Sequence, residues 1–562
     1  MNLMRSIQFW IAAFVLICTA PISFSQVEFN FEPLNSIPVQ EDGRVKPLQT
    51  FSGESVKDIT GRWKFQSREP VNTLLLFLSS HDWSDAEIVK LGYIPLKKAL
   101  GVDLNQERFS VNGLINNASF QAVAEDVRNK QMAGTKLNKL ENETGRLMHQ
   151  LITYQIFVSG EALTMVPPPP GSPEVAKWLS IVQPTGYPAE TQAKIKDTFS
   201  DVITAFHHGN ASEFEQSSIS LHTLLAQLNT DPLIYPTAAL MEREIYYNES
   251  RPFLNAWIIY MLAFFGFLLS FFFVKARWLY WTSMAFAFGG FAFHGWGLLL
   301  RALIAGRPPV SNMYETVVFV GWGVLLFALI FELIYRRRWY AAVGTFCGVG
   351  FLILADILPF DPNIEPLVPV LRSNYWLIIH VLTITISYSA FALAMGLAHV
   401  SLFVYFYCPN NKMLLRELSL FLYRVLQVGV VLLAIGTILG GVWAAESWGR
   451  FWGWDPKETW ALISLLGYLA ILHARYTGWI HDFGTAIGSI LGFFLILMTW
   501  YGVNFVLGTG LHSYGFGAGG GEYVIAYLVA EFIFMGVVSI KYLMMRSTMP
   551  IEENVDDGIS AA

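Results

Sequence analysis

Two regimes of patterning divide the chain near residue 252. Beyond it, apolar residues run in nine blocks, roughly 253–274, 279–300, 315–335, 340–357, 377–407, 424–442, 459–473, 484–505 and 522–541. Each is near the ~20 residues that cross a hydrocarbon layer as a helix. The fifth block is longer and the seventh shorter. Between residues 27 and 252, polar and charged positions return, and no run is long enough to span. Apolar positions recur there at helical spacing over Leu137–Val158, Glu190–His207 and Ser212–Leu228, which predicts amphipathic helices. Pro167–Pro170 followed by Gly171 predicts a rigid break, and Ala238–Pro252 a helix leading into the first apolar block. Residues 1–26 place Arg5 ahead of an apolar run from Ile7 to about Phe24, the pattern of a secretory signal or an N-terminal anchor. The Ser-Phe-Ser before Gln26 fits a cleavage site. The pattern predicts an all-α polytopic membrane protein of about nine transmembrane helices, preceded by a mainly helical exported soluble domain at 27–252 and followed by a cytoplasmic tail at 546–562.

Composition agrees. Of 562 residues, 54% are hydrophobic and only 14% charged, which excludes an ordinary soluble domain. The net charge of −6 comes with no basic run, so no nucleic-acid partner is expected. Cys18, Cys347 and Cys408 sit in or beside apolar blocks without a CxxC pair, which speaks against a disulfide framework or a thiol carrier. Charge orients the blocks. One set of connections holds Lys275, Arg277, Arg336, Arg337, Arg338, Lys412, Arg416, Arg424, Arg475, Lys541 and Arg546; the other holds Arg301, Arg307, Arg372, Arg450 and Lys457. The richer set is expected on the cytoplasmic side. The poorer set then faces outward, as the exported domain does.

One stretch in the outward set stands apart: Trp443 to Trp460, WAAESWGRFWGWDPKETW, with five tryptophans, Trp443, Trp448, Trp452, Trp454 and Trp460, in eighteen residues. An interfacial aromatic belt places indoles at span ends but does not call for a Gly- and Trp-rich loop with a WDPKETW tail. Indoles offer large rigid faces with one polar edge, and Gly449 and Gly453 let the backbone bend. The stretch reads as a flat apolar platform for a large planar ligand. On the same side lie His380, where the fifth block begins, and His512, in GTGLHSYGF. Two neutral imidazoles are a common axial pair for haem iron. Within the blocks, His294 sits in the outer half of the second and His473 near the inner end of the seventh. Their depths differ by roughly 20 Å, or about 10 Å if the seventh continues towards Trp479, at 1.5 Å per residue. His399 has no partner legible in the pattern. A lone intramembrane histidine also serves as a structural donor to a neighbouring helix. Asp455 and Glu458 suit either the site or the cap of the following helix. In the exported domain, His81, His149, His207, His208 and His222 read as solvated surface.

The segment WGRFWGWDPKETWALI resembles the Trp-rich "WWD" signature of the haem-handling proteins of cytochrome c biogenesis, shared by the CcsA (system II) and CcmF (system I) branches. SNYWLIIHVLTITISY, GVNFVLGTGLHSYGF, the HxR setting of His473 and Arg475, and PPVSNMYETVVF (Pro308–Phe319) resemble CcsA elements, and the likeness covers about 253–545. EDGRVKPLQTFSGESVKDITGR (Glu41–Arg62) resembles a stretch ahead of the CcsA part in longer relatives. The resemblance implies that His380 and His512 hold haem b externally beside a platform of Trp443, Trp448, Trp452, Trp454, Asp455 and Trp460. It implies that a membrane site, His473 with His294, receives haem from the cytoplasmic side. In fused relatives the first membrane histidine belongs to the CcsB (ResB-like) portion, and the exported domain here lacks the spans of such a portion. A separate ResB/CcsB-like membrane protein is therefore an expected partner, beside haem, apocytochrome c and membrane lipid. The implied activity is thioether attachment of haem to CxxCH apocytochromes at the outer face of the bacterial inner membrane, as a holocytochrome c synthase component. Two other readings stay open: a haem exporter without attachment chemistry, and a bis-His electron-transfer cytochrome.

Overall fold

The computed structural model describes residues 28–135, 137–173, 176–367, 374–511 and 521–547; the 1–26 segment and nearly all of the 546–562 tail lie outside them. The chain divides into two units, Met1–Ile245 and Tyr246–Ala562, a few residues ahead of the boundary that hydropathy suggests.

The first unit is helical apart from two two-stranded antiparallel sheets and one isolated bridge among the described residues. Its amphipathic helices, Lys139–Val158, Ala189–His207 and Ala211–Leu228, fall within a residue or two of the expected limits. Asn138 and Glu141 cap the first reciprocally, each side chain accepting from the other's backbone N–H at 3.0 and 2.7 Å. The Glu41–Arg62 segment opens the unit. Asp42 and Gly43 both take positive φ and turn strand Pro38–Glu41 into strand Arg44–Pro47, as an Asp-Gly hairpin turn requires. Helix Leu48–Thr60 follows. Inside the fold Lys46 bonds to Glu54 and, at 2.6 Å, to Glu41, and Arg44 bonds to Glu244.

The second unit is a bundle of long helices: α1 (Pro252–Phe272), α2 (Arg277–Ala305), α3 (Met313–Tyr335), α4 (Trp339–Ile357), α5 (Leu382–Tyr407), α6 (Lys412–Trp448), α7 (Pro456–Tyr476), α8 (Asp482–Leu497) and α9 (Gly521–Ser547). Eight helices in the described residues are long and apolar enough to cross a membrane. The nine expected blocks are all helical, but α7 falls outside the eight, because polar residues at both of its ends, Lys457 and Glu458 at the start and His473 and Arg475 in the last turn, lower its mean hydropathy. Helix α5 is the axis. Ser387, Ser389, Ala390, Ala392, Ala394, Ala398 and Ser401 are all buried on it, and it packs against α3, α6 and α8. Small side chains let helix backbones approach where lipid supplies no hydrophobic drive.

Two features depart from the expected pattern. Helix α6 is 37 residues long, so the first part of the Trp-rich stretch, Trp443 to Trp448, is helix rather than loop. Two spans also break into π-helix, at Leu377–Val381 and Met498–Leu507. A π-turn adds one residue to an α-helical repeat and often marks a functional site.

Candidate functional site

His380 lies on the first π segment, and Trp500 and Asn504 lie on the second. Together with the start of α3, the end of α6 and the start of α7 they surround a cleft of about 1110 Å³ of unfilled space, part of it open to solvent. His380, Trp443, Trp448 and Trp452 line it, with Lys457 and Glu458 from the start of α7. Val310, Ser311, Asn312, Met313 and Thr316 form another part of the wall, which gives the PPVSNMYE segment its place. A buried ion cluster holds that segment: Glu315 accepts from Arg301 at 2.9 Å and from Arg307 at 3.1 Å, and from the Ser311 N–H at 2.9 Å.

The His380 ring is fixed on two sides. Its Nδ1 lies 2.9 Å from the Gly436 carbonyl oxygen. A carbonyl only accepts, so Nδ1 carries the proton and the neutral ring has its lone pair on Nε2. That is the tautomer of a metal-binding imidazole oriented by a backbone carbonyl. Trp443 packs beside the ring at 5.6 Å between centroids. Gly440 lies so close that a Cβ there would come within 2.7 Å of the imidazole Cε1. Trp376 supports the same end, donating its indole N–H to Glu446 at 2.8 Å.

The loop between α6 and α7 is organised by two carboxylates. Glu458 accepts from the backbone N–H groups of Gly453 and Asp455 at 2.8 and 3.2 Å and from Arg450 at 3.1 Å. Asp455, buried, caps α7 and accepts from the Lys457 N–H at 3.0 Å. Its other oxygen accepts from the Leu511 N–H at 2.6 Å, and a Cβ on Gly510 would collide with that oxygen at 2.4 Å. Asp455 therefore ties the Trp-rich loop to the residue immediately before His512. His512 itself lies outside the described residues.

The tryptophans divide. Trp443, Trp448 and Trp452 face the cleft. Trp454 is 70% exposed with φ +58°, held edge-on to Trp452 at 5.9 Å. Trp460, on α7, is half-buried and is not among the cleft-lining residues. Lys457 is half-buried because it faces the cleft; its Nζ donates to Asn504 Oδ1 at 3.5 Å. It precedes the apolar part of α7. Desolvation pushes its ammonium pKa down to about 8, with the charge of Asp455 pulling the other way.

The membrane histidines behave differently. His294 is completely buried and shares a 3.2 Å hydrogen bond with the Tyr260 hydroxyl, with Phe253 and Gly321 against its ring. His473 is exposed near the C-terminal end of α7, its Nδ1 donating to the Leu469 carbonyl at 2.7 Å, two residues before the Arg475 of the Arg475–Asp482 pair at 2.6 Å. A fully enclosed imidazole on α2 and an exposed one on α7 are not brought together. His399 has a partner the pattern does not reveal: its Nε2 lies 3.0 Å from both carboxylate oxygens of Glu531 on α9. Sequence reasoning also misses the Gly436 carbonyl, Gly440 and Asn504, which carry no signal before the helices are assembled.

Residues 310–512 match the family described as cytochrome C assembly protein. The protein NrfI of Wolinella succinogenes is 31% identical over 495 residues, which cover 84% of this chain; the chain spans about half, 53%, of NrfI. The cytochrome c biogenesis protein CcsA of Prochlorococcus marinus (strain MIT 9515) is 37% identical over 251 residues, 39% of this chain and 78% of that protein. CcsA of Synechococcus sp. (strain CC9902) is 36% identical over 253 residues, 39% of this chain and 81% of that protein.

Proposed function

Since the chain belongs to the CcsA-like family of cytochrome c assembly proteins, we propose that it binds haem b in the outer cleft and promotes its covalent attachment to CxxCH apocytochromes at the outer face of the bacterial inner membrane. His380 and His512 are the axial ligands in this reading, and Trp443, Trp448 and Trp452 cover the porphyrin. The observation that carries it is the oriented His380: a ring with its proton held on Gly436 and its lone pair on Nε2, in a Trp-walled cleft. Asp455 supports it by fastening the chain that enters the His512 segment.

The protein's contribution is positioning. In the attachment step a substrate cysteine thiol adds across a haem vinyl group: sulfur bonds to the inner vinyl carbon and hydrogen passes to the terminal one, with no net redox change. A fixed haem edge beside a docked CxxCH segment converts this to an effectively intramolecular reaction. Replacement of His380 or His512 on the iron by the substrate histidine then lets product leave. His473, exposed at the inner end of α7, is the receiving ligand for haem from the cytoplasmic side, with the second ligand from a ResB/CcsB-like membrane partner. The buried His294–Tyr260 pair is structural in this reading.

The test is the reduced and oxidised absorption spectrum of detergent-purified protein, co-expressed with a ResB-like partner, beside a His380→Ala, His512→Ala double variant. The expected result is a low-spin bis-His spectrum lost in the variant, together with loss of thioether formation on a CxxCH apocytochrome. A haem-free parent, or normal maturation by the double variant, would overturn the reading.

A further inference from the structure

The walls of the cleft are chemically unequal. Lys457, Asn504, Trp500 and Thr316 form one connected polar strip: Lys457 donates to Asn504 at 3.5 Å, Asn504 donates to the Trp500 carbonyl at 3.3 Å, and the Trp500 indole N–H donates to Thr316 at 3.0 Å. Leu377, Val381, Ile384, Trp443 and Ala444 make the apolar part of the lining. Among the residues lining the cleft, Lys457 is the one lysine or arginine and Glu458 the one carboxylate. Glu458 is matched by Arg450 and by two backbone N–H groups. Arg301 and Arg307 behind the wall are matched by Glu315. Lys457 is thus the cationic side chain that the cleft lining itself carries.

We propose that Lys457, supported by Asn504, seats the carboxylate edge of the porphyrin and so fixes which edge of haem enters the cleft. This rests on the haem reading above and deepens it. Haem is flat and apolar except for two propionates on one edge. A carboxylate entering an aromatic enclosure loses hydration that only a cation and hydrogen-bond donors replace. Lys457 supplies the cation and the Asn504 amide, on the same strip, a neutral donor. With the propionates held there, the vinyl carbons lie towards the far side of the ring, away from the polar strip, where an acceptor thiol has to reach. Lys457 is in this sense a positioning residue. It touches the haem periphery and not the bonds that form.

The experiment is an equilibrium titration of full-length apoprotein in detergent with haem and, separately, with the dimethyl ester of haem, in the parent, Lys457→Met and Lys457→Arg, read by the low-spin absorption change. The parent is expected to prefer haem over its ester by about tenfold or more, the scale of a charge-assisted hydrogen bond. Lys457→Met is expected to abolish that preference by losing affinity for haem and not for the ester, and Lys457→Arg to retain most of it. The parent comparison alone tests the idea if Lys457→Met does not fold. Equal affinity of the parent for haem and ester, or an undiminished preference in Lys457→Met, would overturn the proposal and leave the haem reading standing. A parent that binds neither would overturn both.

Discussion

His380 and His294 are alike in sequence terms, each one imidazole on an apolar helix, and in both the Nδ1 atom is engaged by protein. What separates them is the space in front of the ring. His380 sits on a π segment that shifts the helical register and turns it towards a cleft framed by Trp443 and Gly440. His294 sits on unbroken α-helix, with Phe253, Tyr260 and Gly321 closing round it. The same imidazole is left facing open space in one place and is closed into an internal hydrogen bond in the other. Residue type nominates a site; the room that neighbours leave decides it.

The sharpest way to break this contrast is to exchange the treatment of the two residues. His380→Ala is expected to abolish the low-spin haem spectrum, whereas His294→Ala keeps it and lowers stability by about 1–3 kcal/mol, the cost of stranding a buried polar partner, measured as a lower thermal midpoint. Equal spectral loss in both would erase the distinction. Next in size is Gly440→Val. Its side chain has to occupy the space of the imidazole edge, so haem occupancy should fall several-fold without loss of fold. Gly289→Ala on α2, where a Cβ meets nothing within 4 Å, should change neither. Asp455→Ala should come third. It removes the α7 cap, a loss of roughly 1 kcal/mol in stability, and releases Leu511. The spectrum should then shift towards a species with one protein axial ligand. A fully retained bis-His spectrum would show that the Asp455–Leu511 bond does not position His512.

The smallest effect is a pH dependence. Desolvation lowers the Lys457 pKa to about 8, and a bound carboxylate stabilises its charged form, so haem binding takes up a proton above that pH. Affinity for haem should therefore weaken as pH rises from about 8 towards 10, while affinity for the dimethyl ester stays level. Asp455, Glu458, the His380 ring and the Tyr388 hydroxyl are the other ionisable groups beside the cleft. The slope is expected to disappear in Lys457→Met.

The helices of the membrane unit were legible because each is an uninterrupted apolar run, and the amphipathic helices of the first unit because their apolar positions repeat at the helical period. The limits of α6 were not. Its ends carry Lys412, Arg416, Glu417 and Glu446, so hydropathy stops while the helix continues. The π segments were invisible for a related reason: one extra residue per turn leaves an all-apolar run looking unchanged. Among site residues, His380 and the tryptophans could be named from composition, but their division into three that face the cleft and two that do not depends on the turn at Gly449–Asp455. The His399–Glu531 contact joins residues 132 apart in the chain, and no periodicity encodes it. Nor could spacing show that Asp455 serves the His512 side of the molecule as well as its own helix.

The length of α6 has a consequence for how the protein lives in lipid. At 1.5 Å per residue its 37 residues reach about 55 Å, against a hydrocarbon layer of roughly 30 Å. Its apolar stretch, 424–442, is matched to that layer, and Trp443 and Trp448 stand beyond it on the same rigid rod. A membrane that thins or thickens by a few ångströms tilts or slides the rod. It does not alter the spacing between the two indoles, or between them and the Gly436 carbonyl four turns or less below. The spacing of these features is set by covalent rise along one helix, so that part of the cleft wall keeps the same internal gauge in bilayers of different thickness.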